Sequence, residues 1–215
     1  MRLCKAHFAG HHVRVVVARS ISRTRSRDLE AVLLQAADNV LRRDGLDGVT
    51  VRSVATEAGV APMGVYSRFG SKEGLVDALL IQAIDDLQRA VSSRGEPDPD
   101  ERMRSSARRY RQWALANPQH YEAIFLGRRG VASPAVAEHL AAVYEVGYSM
   151  HEFAMAHGII RAIDPKESCA RFWCATHGAI AFELHSLVLP EDADRNFEAV
   201  LDMVMRGLSA TPATS

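Results

Sequence analysis

Apolar residues recur at helical spacing through most of the chain, and no stretch alternates as a strand would. Leu29, Val32, Leu33, Ala36, Val40 and Leu41 share one side of a 3.6-residue period. They predict an amphipathic helix that Ser26 or Asp28 caps and that Gly45 and Gly48 end. Thr50 then supplies an N-cap hydroxyl for the short segment VRSVATEA, and Gly59 closes it. Pro62 stands early in the next helix, where its missing N–H costs little. Ser71 caps a fourth helix, with Glu73 in its first turn as the helix dipole favours. Leu75, Leu79, Ile84 and Leu87 form that helix's apolar side.

The run SSRGEPDPDE, residues 92–101, breaks the pattern with glycine, proline and acids, and reads as a linker or sharp turn. Beyond it the helical period returns. Asn117-Pro118, Ser133-Pro134 and Asp164-Pro165 read as cap-plus-proline starts of helices over roughly 118–126, 134–157 and 165–188. A last helix follows Pro190, with Phe197, Val200, Leu201, Val204 and Leu208 on one face. Residues 1–25 show no period and carry Arg14, Arg19, Arg23 and Arg25, and are expected to form a disordered basic arm. The expected fold class is all-α.

Composition refines this outline. The chain has 215 residues, 47% of them hydrophobic, and a formal net charge of zero. Residues 1–90 hold 13 Lys/Arg against 10 Asp/Glu, and residues 91–215 hold 13 against 16. The front is thus mildly basic and the rear mildly acidic, which suits a nucleic-acid-binding front. Cys4, Cys169 and Cys174 make no CxxC pair, and an odd count argues against a disulfide framework. No apolar run approaches the about 20 residues that span a bilayer, so no membrane partner is expected. The nine histidines include neither HExxH nor a Cys/His cluster, so no metal is expected. There is no GxSxG, no glycine-rich phosphate loop and no convergent acid, base and nucleophile. Neither catalytic residues nor a cofactor are expected, and Cys174 near His177 reads as packing.

Chemistry concentrates between Thr50 and Leu75. Val54, Ala55 and Ala58 make an apolar edge that Val60, Val65 and Phe69 can face, and the alanines allow close approach. Such a pair lays its second helix in the DNA major groove while the first crosses the backbone. Ala61, Pro62, Met63, Ser67 and Arg68 are expected to point outward or sideways. Tyr66 can donate its phenol to a phosphate. Lys72 adds charge beside a helix N-terminus.

Thr50, Ala55, Ala58-Gly59-Val60, Tyr66, Phe69 and Ser71-Lys72-Glu73-Gly74-Leu75 resemble the DNA-binding domain of the TetR (tetracycline-repressor) family. With the preceding helix the resemblance covers about residues 26–90. It implies a helix-turn-helix DNA-binding domain over 26–73 and a helical effector-binding and dimerisation domain over 74–210. It also implies that Thr50, Tyr66 and Lys72 contact phosphates, and that Arg52, Pro62, Met63, Ser67 and Arg68 reach base edges or nearby phosphates. Ala61 and Gly64 depart from the family's usual serine and threonine, so readout leans on Arg52, Arg68 and DNA shape. The pattern Trp173-x-x-x-His177-Gly178 resembles the family's carboxy-terminal WHG subgroup. There Gly178 is expected at a close helix crossing.

These observations predict a cytoplasmic, homodimeric transcriptional repressor that binds a double-stranded DNA operator and leaves it when a small-molecule effector binds. The last two helices are expected to hold the dimer, through Phe172, Ala175, Ile180, Leu184, Phe197, Leu201 and Val204. Aromatic residues spread over several helices are expected to line an effector site for an apolar or aromatic molecule: Trp113, Tyr121, Phe125, Tyr144, Tyr148, Phe153, Phe172 and Trp173. His177, Glu183 and Arg171 would supply its polar groups. Packing alone would also account for the aromatics. Two alternatives stay open from sequence: a ligand-independent regulator or activator, and a helical small-molecule binder or enzyme on the same scaffold.

Overall fold

A computed structural model describes residues 12–93, 95–126 and 133–210, with side chains from residue 28 onward. Among them the chain is helical, apart from an antiparallel bridge of Ile160 with Ser209. The helices are α1 (His12–Gly48), α2 (Val51–Glu57), α3 (Pro62–Phe69), α4 (Lys72–Val91), α5 (Pro99–Ala116), α6 (Pro118–Tyr121), α7 (Pro134–Ala156), α8 (Pro165–Leu184) and α9 (Ala193–Leu208). A π-helical turn, Glu122–Leu126, follows α6, and a 3-10 turn, Pro190–Asp192, precedes α9. The chain divides into two compact units between Val76 and Asp77.

Helix α1 begins at His12, within the stretch 1–25 that was expected to form a disordered basic arm. Residues 1–11 lie outside the described part. Residues 12–25 contain neither glycine nor proline, and extending a nucleated helix adds a hydrogen bond for each residue fixed. Gly45, at φ 71° and ψ −178°, interrupts the helix near its end. In the first unit α1 packs on α2 and α2 on α3. Leu33, Val40, Leu41, Val54, Val65 and Leu75 are fully buried there.

In the second unit α5, α7, α8 and α9 pack on one another in the pairs α5–α7, α5–α8, α7–α8 and α8–α9. Two of the three expected proline-led starts cap as expected: Ser133 Oγ accepts from Val136 N–H and Asp164 from Lys166 N–H. Asn117 turns back instead and donates its amide to Trp113 O at 2.9 Å, closing α5. A further start lies hidden in the acidic turn. Asp98 accepts from the N–H groups of Asp100 and Glu101, with Pro99 first in α5.

Helix α8 stops at Leu184, short of the expected 188. Ser186 adopts φ 55°, while Ser186 N–H and Leu187 N–H donate to Glu183 O and Phe182 O. That is a left-handed helix stop made without glycine, and serine gives no sequence signal for it. Helices α5 and α9 are joined by a ladder of ion pairs. Arg104 meets Asp202 at 2.6 Å, Arg108 grips both oxygens of Glu198 at 2.8 and 2.9 Å, and Arg111 meets Asp194 at 2.6 Å. Arg111 also binds Glu183 of α8 through two bonds of 2.7 and 2.8 Å. The arginines crowded into residues 102–111 thus include three that hold the unit's own helices together.

Candidate functional site

The turn between α2 and α3 is built from both ends. Thr50 Oγ1 accepts Ser53 N–H at 3.0 Å, and Ser53 Oγ accepts Thr50 N–H at 2.9 Å, a reciprocal cap on α2. At the other end Gly59 takes φ 66°, Gly59 N–H donates to Thr56 O and Val60 N–H to Ala55 O. This paired C-terminal closure needs a left-handed residue, which glycine supplies without strain. Helix α3 then starts at Pro62 with no side-chain cap on Ala61.

The far end of α3 is fixed by contact. Gly70 turns the chain at φ 74°, and Ser71 Oγ accepts Gly74 N–H at 3.1 Å. A Cβ on Gly74 would stand 2.1 Å from Phe69 O. Only glycine lets the first turn of α4 lie that close to the end of α3.

The result is a short helix with one buried side, Val65, and a face left to solvent. Ala61, Pro62, Met63, Tyr66 and Ser67 are exposed, Met63 by 72% and Tyr66 by 48%. Arg52 on α2 and Lys72 on α4 are exposed as well. Two of the nine expected DNA contacts sit differently. Thr50 is half-buried and its hydroxyl is engaged in the α2 cap. Arg68, expected to point outward or sideways, is half-buried, and its Nε is enclosed without a hydrogen-bond partner among the described residues. Arg43 of α1 pairs with Glu57 of α2 at 3.0 Å, an ion pair between the first two helices of this unit.

In the second unit an aromatic cluster forms around Tyr110. Its ring stacks on Trp173 at 4.5 Å, and its hydroxyl meets His177 Nδ1 at 2.8 Å. Tyr121 lies 5.0 Å from the His177 ring and Phe125 6.1 Å from Trp173. Burial pushes the Tyr110 phenol well above its ordinary value and lowers His177. Beside the cluster, between α5, α7 and α8, lies a recess of about 430 Å³ that includes the solvent at its mouth, with about 20 Å³ of room inside it for water-sized occupants. Tyr144, Phe172 and Trp173 of the expected aromatics line it.

Tyr121, Phe125 and His177 belong to the neighbouring cluster rather than the cavity wall. Trp113 is buried elsewhere, and Tyr148 stacks on Tyr144 and faces Lys166. Phe153 takes the Arg102 guanidinium over its ring at 4.0 Å. Of the expected polar groups, Arg171 pairs with Glu167, and Glu183 is bound by Arg111. Sequence reasoning missed Tyr110, hidden in an arginine-rich run, and His151, which is fully buried on the cavity wall.

Among the described residues Gly178 is not at a tight crossing, since a Cβ there would meet none of their atoms within 4 Å. The close approach is at Gly147 of α7, where a Cβ would stand 2.7 Å from Cys169 Sγ of α8. Among the described residues no three His, Cys, Asp or Glu side chains are grouped to hold a metal, and no helix is long and apolar enough to cross a membrane.

A braced helix-turn-helix joined to a helical unit defines a class, the DNA-binding transcriptional regulators. Residues 33–79 match the model for bacterial regulatory proteins of the tetR family, and residues 103–204 match a tetracyclin repressor-like carboxy-terminal domain. The chain belongs to the TetR family of transcriptional regulators. It is 27% identical over 195 residues to the uncharacterised HTH-type transcriptional regulator Rv0681 of Mycobacterium tuberculosis, covering 87% of this chain and 83% of that one. Over 78 residues it is 33% identical to the HTH-type transcriptional regulator BetI of Paraburkholderia phytofirmans, covering 35% of this chain and 40% of that one. A solved structure of a Rhodococcus protein of unknown function superposes with a TM-score of 0.75 at 26% identity, covering 84% and 95% of the two chains. The fatty acid degradation regulator FadR of Bacillus halodurans shares the fold, with a TM-score of 0.69 at 15% identity over 83% and 98% of the chains.

Proposed function

We propose that the protein is a cytoplasmic, homodimeric repressor that a small, largely apolar molecule releases from its operator. The observation that carries the DNA-reading part is the face of α3. Met63 and Tyr66 are large side chains left to water on a helix braced at both ends. Pro62 and Met63 suit thymine methyl groups in the major groove, with Arg52 beside them for base edges or phosphate. Tyr66, Lys72 and the Thr50 end of α2 suit the phosphates. Arg68 contributes less directly, from its half-buried position.

Of the residues that the helical period suggested for the dimer, Ala175, Leu184 and Val204 stay half-exposed. Phe172, Ile180, Phe197 and Leu201 are spent inside one protomer. Phe182, Leu187, Leu189 and Met203 remain 55–64% exposed on the end of α8, the following loop and α9. A two-fold copy of the same surface would cover them. The cavity in the second unit supports an effector, which would favour one of two protomer arrangements and so shift the population away from DNA.

A mobility-shift titration with the DNA upstream of the protein's own gene tests the reading. The expected result is a shifted band that unrelated DNA competes away only weakly, formed by a species that sediments as a dimer at micromolar concentration. A monomer, or equal competition by any DNA, would sink it. Persistence of the complex through a broad small-molecule screen would favour the ligand-independent alternative.

A further inference from the structure

We propose that the cavity between α5, α7 and α8 takes a neutral, mainly apolar molecule carrying a hydroxyl group, and that His151 Nε2 meets that hydroxyl. This deepens the reading of the protein as an effector-released regulator and takes its regulatory meaning from it.

Three polar groups on the cavity wall already have partners. Ser106 Oγ donates to Val91 O at 2.8 Å, Thr176 Oγ1 donates to Phe172 O at 3.0 Å, and the Tyr110 hydroxyl is paired with His177. His151 Nδ1 is paired with Ser168 Oγ at 2.8 Å, while its Nε2 is buried with no partner among the described residues. The ring is held edge-on to Phe172, with centroids 5.4 Å apart at 77°, so the free nitrogen is fixed in place. A buried polar atom with no partner is costly, and it gains most from a molecule that supplies one.

Charge selects the class of molecule. Among the described residues no Lys, Arg, Asp or Glu lines the cavity, so an ionised ligand would be buried without a counter-charge from them. The rest of the wall is largely apolar, with Val91, Val143, Met150 and Phe172, and adds the Tyr144 hydroxyl and the Trp173 indole N–H. Burial holds His151 neutral, pushed down to about 4. A neutral imidazole offers at Nε2 either an acceptor or a donor, depending on which way the Ser168 hydroxyl turns. A hydroxyl answers both, because it donates and accepts.

Three probes of like shape test this on the full-length protein: p-ethylphenol, ethylbenzene and p-ethylbenzoate. Tryptophan emission reports binding, since Trp173 lines the cavity. The phenol should bind about tenfold more tightly than ethylbenzene, the ratio expected when one buried hydrogen bond is left unmade. The benzoate should bind more weakly than either. In His151→Phe the phenol and the hydrocarbon should bind within about twofold of each other. In uniformly ¹⁵N-labelled wild type the phenol should move one histidine ring-nitrogen resonance that ethylbenzene leaves in place, a readout that needs no variant.

Equal affinity of phenol and hydrocarbon, a hydroxyl preference that survives in His151→Phe, or no binding of either probe at millimolar concentration would overturn the proposal; in the last case the cavity holds water only. A parallel DNA titration separates the two readings. Hydroxyl-selective binding that leaves the DNA complex intact refutes effector release but not this inference. Release of DNA without hydroxyl preference does the reverse.

Discussion

Two glycine-to-alanine changes in the DNA-binding unit should act in opposite directions. At Gly74 the new methyl carbon would stand 2.1 Å from Phe69 O and 3.2 Å from Phe69 C. Both are backbone atoms, so no side chain can swing aside. The first turn of α4 must retreat from α3 by roughly 1 Å to reach a tolerable contact. Overpacking of that kind costs about 1–3 kcal/mol, and at about 2–4 °C per kcal/mol for a chain of this size the melting point should fall by about 2–12 °C. At Gly64 the methyl meets Val60 Cγ2 at 3.7 Å, an ordinary contact. Gly64→Ala should therefore gain about 0.5–1 kcal/mol from helix propensity alone. Thermal melts followed by circular dichroism measure both, and amide exchange in α3 shows whether that helix loosens in Gly74→Ala. A Gly74→Ala protein that melts at or above the wild-type temperature would refute the close approach on which the placement of α3 depends.

Lys72→Ala should weaken specific and non-specific DNA binding alike and lower the slope of log affinity against log salt by about 2, one phosphate per protomer; an unchanged slope removes Lys72 from the interface. Arg111→Ala should destabilise the second unit by about 2–3 kcal/mol, because it strands Glu183, whose side chain is 16% exposed. The double change Arg111→Met with Glu183→Leu should recover most of that loss in urea unfolding. His151 is neutral in the folded protein, about 4 against an ordinary 6.5, so the unfolded chain takes up a proton first as pH falls. Stability from this group should be whole above pH 6.5 and decline by roughly 1.4 kcal/mol per unit down to about pH 4; His151→Phe should flatten that part of the curve.

What could be read from sequence divides by range of interaction. The reading head depends on signals within a few residues of each other: a hydroxyl at Thr50, glycine at Gly59, proline at Pro62, serine at Ser71. Each acts on its own turn of helix, so the head's outline was legible, and the family matches agree with it. The need for glycine at Gly74 was not, because it comes from Phe69 O folding back across Gly70. In the second unit the helices were legible but their faces were not. Trp173 and His177 share a helix side, yet only Trp173 lines the cavity. His151 finds Ser168 on a different helix, and Tyr110 finds His177 far along the chain. A helical period marks a side as apolar; the crossings of α5, α7 and α8 decide which apolar side meets a cavity and which meets packing. The same limit explains the dimer residues, since Phe197 and Leu201 satisfy the period equally well by packing within one protomer.

The central claim is that the face of α3 carrying Met63 and Tyr66 reads DNA as one half of a symmetric pair. Hydroxyl-radical footprinting on the DNA upstream of the protein's own gene tests it most directly. The account predicts two protected patches related by a two-fold axis, their centres separated by about one helical turn or a multiple of it, and loss of both patches together in Met63→Glu. A single asymmetric patch, uniform weak protection, or a footprint unchanged in Met63→Glu would contradict it.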